Sequence, residues 1–275
     1  NPKDNYFTRF ILEKDEKQFF KNYPFRVEPP TDNEGFFFHM LKFKDWWRIF
    51  RFSNIEGGQL HNYYSVFILI AILIISSILS FFFIFLPLVF RKTKVLVPKR
   101  EALRYIFYFA LLGLGFMLIE ISLIQRFSIF FGHPTYSITL ILFSVLLFSG
   151  IGSFLTTKLN IKISKIILGL IFIGIILLGI FSIFFNIQIS LIPKCFLSVL
   201  FLAPLSLSMG MLFPSGIRLL DKRDRQLIPW AFGINGIAST VGSVLTLILY
   251  INFGFKITFL AALAVYLLAL FKIKK

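Results

Sequence analysis

Seven stretches of this chain run for 15 residues or more with at most two charged side chains each, and that spacing constrains the fold more than anything else in it. A helix that crosses a membrane needs about 20 apolar residues at 1.5 Å rise, because the hydrocarbon core is about 30 Å thick. Ser65 to Phe90 carries no charge and is the first predicted span. Leu103 to Gln125 is the second, interrupted by Arg104 near its start and Glu120 further in. Thr135 to Thr157, Ile166 to Phe185 and Cys195 to Phe213 are the third, fourth and fifth, and Pro229 to Phe253 is the sixth. Ile257 to Phe271 is short, but Lys256 and Lys272 at its ends can extend toward headgroups, so it counts as a seventh. Pro204 and Pro214 are expected to kink or end the fifth helix, since proline lacks an N–H and clashes with the carbonyl four residues back.

Composition agrees. Charged residues make up 15% of the 275, against about 25% in soluble domains. Mean hydropathy is +0.82. A soluble globular enzyme, a disordered chain and a disulfide scaffold are excluded. No segment alternates as a barrel strand would, and open sheet edges are not tolerated in lipid. The expected fold class is an all-α polytopic membrane protein, a bundle of about seven transmembrane helices with six as the fallback. Cys195 is the only cysteine, so no internal disulfide forms, and it is expected to be a small buried residue.

Residues 1–62 differ in kind, and the membrane domain is expected over 63–275. The first part holds 10 Lys and Arg and most of the acidic residues, yet is also aromatic. Phe7 to Tyr23 suits one or two short amphipathic helices, and Pro24 to Asn33 a turn or extended segment. In Phe36 to Phe52, Trp46 and Trp47 stand beside Arg48 and Arg51, a pattern that suits the membrane interface. The region reads as the tail of a preceding soluble domain followed by an interfacial segment. With Asn1 in place of an initiator Met, the chain is expected to be part of something longer.

The net charge of +16 belongs mainly to the loops. The loops after spans one, three and five, with the C-terminus and Arg104 at the very start of span two, hold 16 Lys and Arg; those after spans two, four and six hold only Arg126, Lys194 and Lys256. Anionic headgroups account for this bias, so the lipid bilayer is an expected partner and nucleic acid is not. The bias places the C-terminus in the cytoplasm; seven spans then put residue 1 outside, and six return it to the cytoplasm.

Six residues form the candidate intramembrane polar site. Glu120 costs a few kcal/mol at such depth unless protonated, paired or facing water. It reads either as a site for a proton, cation or polyamine, or as a structural hydrogen-bonding group. It is expected to face the bundle interior and contact Asn235 or Arg218, with Tyr136 or His133 behind them. Arg126 lies six residues on, on another helix face. His133 sits in the turn Gly132–Ser137 and either gates protons or caps a helix. Arg218 opens a basic loop, and Asn235 stands between Gly233 and Gly236. The small-residue groups at 149–153 and 238–243, and Gly113 with Gly115, are expected to let helices approach closely. No GxGxxG, P-loop, GxSxG or HExxH occurs, and the histidines at 39, 61 and 133 are far apart. No catalytic, cofactor-binding or metal-binding residue is therefore assigned.

Three runs are more distinctive. GLGFMLIEISLIQRFSIFFGHPTYSITLILFSVLLFSGIGSFL (113–155), PLSLSMGMLFPSGIRLL (204–220) and IPWAFGINGIASTVGSVLTLILYINFG (228–254) resemble the membrane part of bacterial polytopic spermidine synthase-like proteins. PFRVEPPTDNEGFFFHMLKF (24–43) resembles the junction where the soluble domain of those proteins ends. The resemblance implies an inner-membrane domain that anchors, and feeds, a SAM-type aminopropyltransferase-like Rossmann domain in cis. That domain would use SAM or decarboxylated SAM, with a polyamine or other small molecule as substrate. The alternative is a small-molecule or cation transporter or channel subunit built on Glu120. The nucleotide-binding loop and amine-binding acids of such enzymes have no counterpart here. The 275 residues alone are thus expected to show no aminopropyl or methyl transfer, and measurable transfer by the purified chain would contradict this reading.

Overall fold

The computed structural model describes residues 60–86, 90, 96–159, 161–186 and 189–273. The soluble tail and interfacial segment expected over 1–62 thus lie almost wholly outside the described residues. The described regular structure is all helical. Helix α1 spans Leu60–Ser80 and continues as a wider turn over Phe81–Phe85. It is followed by α2 (Lys99–Phe131), α3 (Pro134–Lys158), α4 (Ile163–Phe185), α5 (Leu191–Arg223) and α6 (Ile228–Ile273). All six are long and apolar enough to cross a membrane.

Local chemistry sets the helix ends. Pro98, at the cap of α2, and Pro134, in the first turn of α3, sit where a missing N–H costs nothing, and Glu101 lies on the positive end of α2. Helix α2 stops at Gly132, whose φ of 69° suits glycine. His133 caps α3, its Nδ1 accepting from the Thr135 N–H at 3.3 Å. Two cations sit on helix C-termini, where unpaired carbonyls gather: Lys194 Nζ donates to the Phe130 carbonyl at 2.6 Å, and Arg218 donates to the Thr156 carbonyl near the end of α3. The carboxylate of Asp224, 1% exposed, accepts from the N–H groups of Leu96, Val97 and Gln226. It ties the strand of chain before α2 to the turn after α5.

Neither Pro204 nor Pro214 ends the fifth helix, contrary to half of the expectation, since α5 runs through both. Around Pro214 the helix is held by its neighbours, with Gly210, one turn earlier, packed against the Ser149 backbone of α3. Cys195 is half-buried rather than buried, because it lies near the start of α5.

Helix α2 is the centre of the bundle, buried over most of its circumference, with Leu103, Phe107 and Ile129 left exposed. It packs chiefly on α6, and α3 packs chiefly on α5. A straight helix of the 46 residues in α6 would be about 69 Å long, more than twice the hydrocarbon core. It is not straight. Gly254 has φ 74° and ψ −177°, a conformation open almost only to glycine. The contacts on either side show what the break does. Asn235, before it, bonds the Phe109 carbonyl, and Lys272, after it, lies over the Phe107 ring at 5.4 Å. Along a straight helix those two residues would stand about 55 Å apart. Phe255, at the break, faces Arg126 near the other end of α2. The chain therefore folds back at Gly254 into two arms, the first parallel to α2 and the second antiparallel.

Close approach depends on glycine. A Cβ on Gly152 would strike the Leu207 backbone, and one on Gly210 the Ser149 backbone, so α3 and α5 touch main chain to main chain. A Cβ on Gly113 would strike Asn235 and Ser239 of the first arm, and one on Gly115 would come within 2.9 Å of the Tyr266 ring of the second. Gly150→Ala and Gly236→Ala, where nothing stands within 4 Å, should be tolerated. Gly152→Ala and Gly210→Ala should each lower stability by about 1–3 kcal/mol in a thermal or denaturant melt of the detergent-solubilised protein.

Candidate intramembrane site

Both charges inside the bundle, Glu120 and Arg126, are carried by α2, and both are buried, at 6% and 8% exposure. Six residues on a helix amount to about 9 Å of rise and about 240° of rotation, so they face different neighbours. Arg126 looks toward the fold-back of α6. Its guanidinium carbon lies 5.9 Å from the Phe255 ring centre, and its charge acts on Tyr250. Glu120 shares a helix face with Gly113, Phe116 and Met117. Tyr266 lies within electrostatic range of it, and within range of Tyr108 on the other side. Tyr108 in turn donates to the Leu212 carbonyl of α5 at 3.1 Å. The result is a buried polar line through α5, α2 and α6, ending at the Glu120 carboxyl group. Among the described residues, no hydrogen bond or ion pair reaches that carboxyl group.

A cavity of about 530 Å³ lies between α2, α3, α5 and the first arm of α6, with Tyr266 of the second arm in its wall. Ser149, Ser153, Asn235, Ser239 and Tyr266 give it neutral hydrogen-bonding groups, and Phe116 contributes to its apolar wall. The small residues at 149–153 thus serve two ends, close packing through Gly152 and a lining through Ser149 and Ser153. The wall donors and acceptors are uncharged, and the nearest charge to Tyr266 is that of Glu120. Such a space suits a small polar or cationic molecule better than an anion.

The six candidate residues are not gathered into one place. Asn235 lines the cavity, and its Nδ2 donates to the Phe109 carbonyl at 3.0 Å rather than to Glu120. Arg218 is occupied at the end of α3, toward the end of the bundle where α2 begins. His133 and Tyr136 pack ring against ring at 5.7 Å at the opposite end, both exposed. Of the named candidates, none from another helix meets the Glu120 carboxyl group. Tyr266, which lies within electrostatic range of it, is not among those candidates. Its signal was present: a phenol in the middle of AALAVYLLAL, an otherwise wholly apolar stretch. Among the described residues no cluster of three or more His, Cys, Asp or Glu is placed to hold a metal. No family model, no curated protein and no solved structure matches this chain.

Asn235→Ala removes one interhelical hydrogen bond and should lower stability by about 1 kcal/mol in an unfolding titration. Tyr136→Ala, at an exposed position, should stay within about 0.5 kcal/mol of the parent.

Proposed function

We propose that this chain is a seven-pass membrane protein whose buried Glu120 holds a small cation, either a proton or a protonated amine. The observation that carries the reading is the position of that carboxyl group. It is almost fully buried in the central helix, meets no ion pair from the described residues, and lies within electrostatic range of Tyr266, which helps line a cavity that also carries hydroxyl and amide groups. An ionised carboxylate there costs a few kcal/mol, and an incoming cation or proton offsets that cost. The fold-back at Gly254 supports seven crossings rather than six, because each arm of α6 runs beside the same length of α2. The loop charges support a cytoplasmic C-terminus, and the proposed location is the bacterial inner membrane.

The resemblance of 113–155, 204–220 and 228–254 to spermidine synthase-like proteins supports a second reading, a membrane domain that anchors and feeds a SAM-type transferase domain in cis. It also suggests a polyamine as the amine. The two readings differ over sidedness. Seven passes with a cytoplasmic C-terminus put the segment before Leu60 outside, away from cytoplasmic SAM, whereas an anchored SAM-using domain belongs inside.

Two measurements separate them. Single cysteines at Asp4 and Lys275, in a Cys195→Ser background, should react with an impermeant reagent from opposite sides of the membrane; reaction from the same side removes the seven-pass scheme. Radiolabelled spermidine should bind the purified protein in nanodiscs, and Glu120→Gln should weaken binding by about ten-fold or more with helix content unchanged. Equal binding by the variant leaves Glu120 a structural residue and sinks the cation site.

A further inference from the structure

A second cavity, of about 620 Å³, lies outside the polar line just described, where the α3–α4 connection meets the last turns of α5. Its walls are of two kinds. Leucine and isoleucine side chains, from Leu159 to Ile163 and at Leu219, supply an apolar lining. Lys162, Arg218 and Lys222 bring three positive charges to the same space. The opposing charge, Asp221, is shared with Arg225 at 3.3 Å. Arg218 is held by its bond to the Thr156 carbonyl, and a guanidinium has five N–H groups, so that bond fixes its direction and leaves others to face a ligand. Ile163 and Ser164 also line the space and form the first turn of α4, whose N–H groups and helix dipole favour an anion. Three cations, a helix N-terminus and an apolar wall at one end of a membrane bundle fit a group that is both anionic and attached to hydrocarbon.

We propose that this cavity binds the phosphate of an anionic phospholipid, with Lys162, Arg218 and Lys222 on the headgroup and the apolar wall against the start of an acyl chain. The site lies at the end of the bundle where the basic loops gather, which is where anionic lipid is expected to enrich. It is independent of Glu120 and of whether the protein transports anything. A free phosphate shares the headgroup chemistry but makes no use of the apolar wall.

The test uses the whole purified chain, stripped of lipid and titrated with phosphatidylglycerol or phosphatidylcholine by native mass spectrometry. Phosphatidylglycerol should bind about ten-fold tighter than phosphatidylcholine. Lys162→Gln with Lys222→Gln removes two exposed cations and should lower phosphatidylglycerol affinity about ten-fold. Lys274→Gln with Lys275→Gln, an equal loss of charge at the C-terminus, should change it less than about two-fold. Inorganic phosphate at about 10 mM should not displace the lipid, since it lacks the acyl contact. No headgroup preference, or an equal loss in both double variants, overturns the proposal. Displacement by phosphate also overturns it, by making the cavity a site for a soluble anion.

Discussion

Helix α2 can be surrounded only because its neighbours reach its backbone. Lipid tails are as apolar as leucine side chains, so burying apolar surface between helices drives association weakly, and contact geometry has to do more. Gly113 lets the first arm of α6 approach, Gly115 leaves room for the Tyr266 ring of the second, and Gly242 sits against Leu114. These contacts need both arms side by side, which the left-handed turn at Gly254 makes possible. The remaining helices build on that three-rod unit. Helix α4 meets the second arm where a Cβ on Gly174 would strike Leu263, and Phe181 packs edge-on against Phe255 at 4.7 Å. Helices α3 and α5 form their own pair through Gly152 and Gly210, and Tyr108 of α2 joins α5 to the centre.

The two ends of the bundle are closed by charge. Main-chain groups at helix termini have no partners within the helix, and in a membrane protein they sit where water is thinning out. Lys194 closes the end of α2 and also lies 4.0 Å over the Phe130 ring, so one ammonium serves a carbonyl and an aromatic face. Arg218 does the same office for α3, and Asp224 collects three N–H groups at the start of α2 and the turn after α5. Loop charges that read in sequence as a simple headgroup bias thus include residues with fixed structural partners.

That difference marks how far the sequence could be read. The third helix was expected at 135–157 and lies at 134–158, because His133-Pro134 and Lys158 punctuate an uncharged run at both ends. Helices α2 and α5 are longer than their apolar runs, since a charge ends an apolar run without ending a helix, and these continue through Lys99 to Ala102 and Pro214 to Arg223. The interior position of Glu120 follows from the cost of exposing it to hydrocarbon, but its neighbour does not. Which helix faces α2 at that level depends on how the two arms of α6 are placed, and a heptad or a hydropathy run holds no record of that. Asn235 and Arg218 attracted attention as polar groups, yet main-chain carbonyls, far more numerous than carboxylates, took them both.

The separation of Glu120 from Arg126 is the feature that makes the interior polar line chemically distinctive. Had they stood four residues apart they would have shared a face and could have neutralised each other, giving a buried ion pair. At six apart they meet different surroundings, Arg126 the aromatic fold-back at Tyr250 and Phe255, and Glu120 a position within electrostatic range of Tyr266. A phenol can donate one hydrogen bond to a carboxylate but brings no countercharge. The region around Glu120 therefore keeps a net demand for positive charge when the carboxyl group is ionised, and loses it when the group takes up a proton. A bundle that needed only cohesion at that level could satisfy it with neutral groups; a carboxyl without a countercharge keeps the charge state of the interior open to whatever cation can reach it.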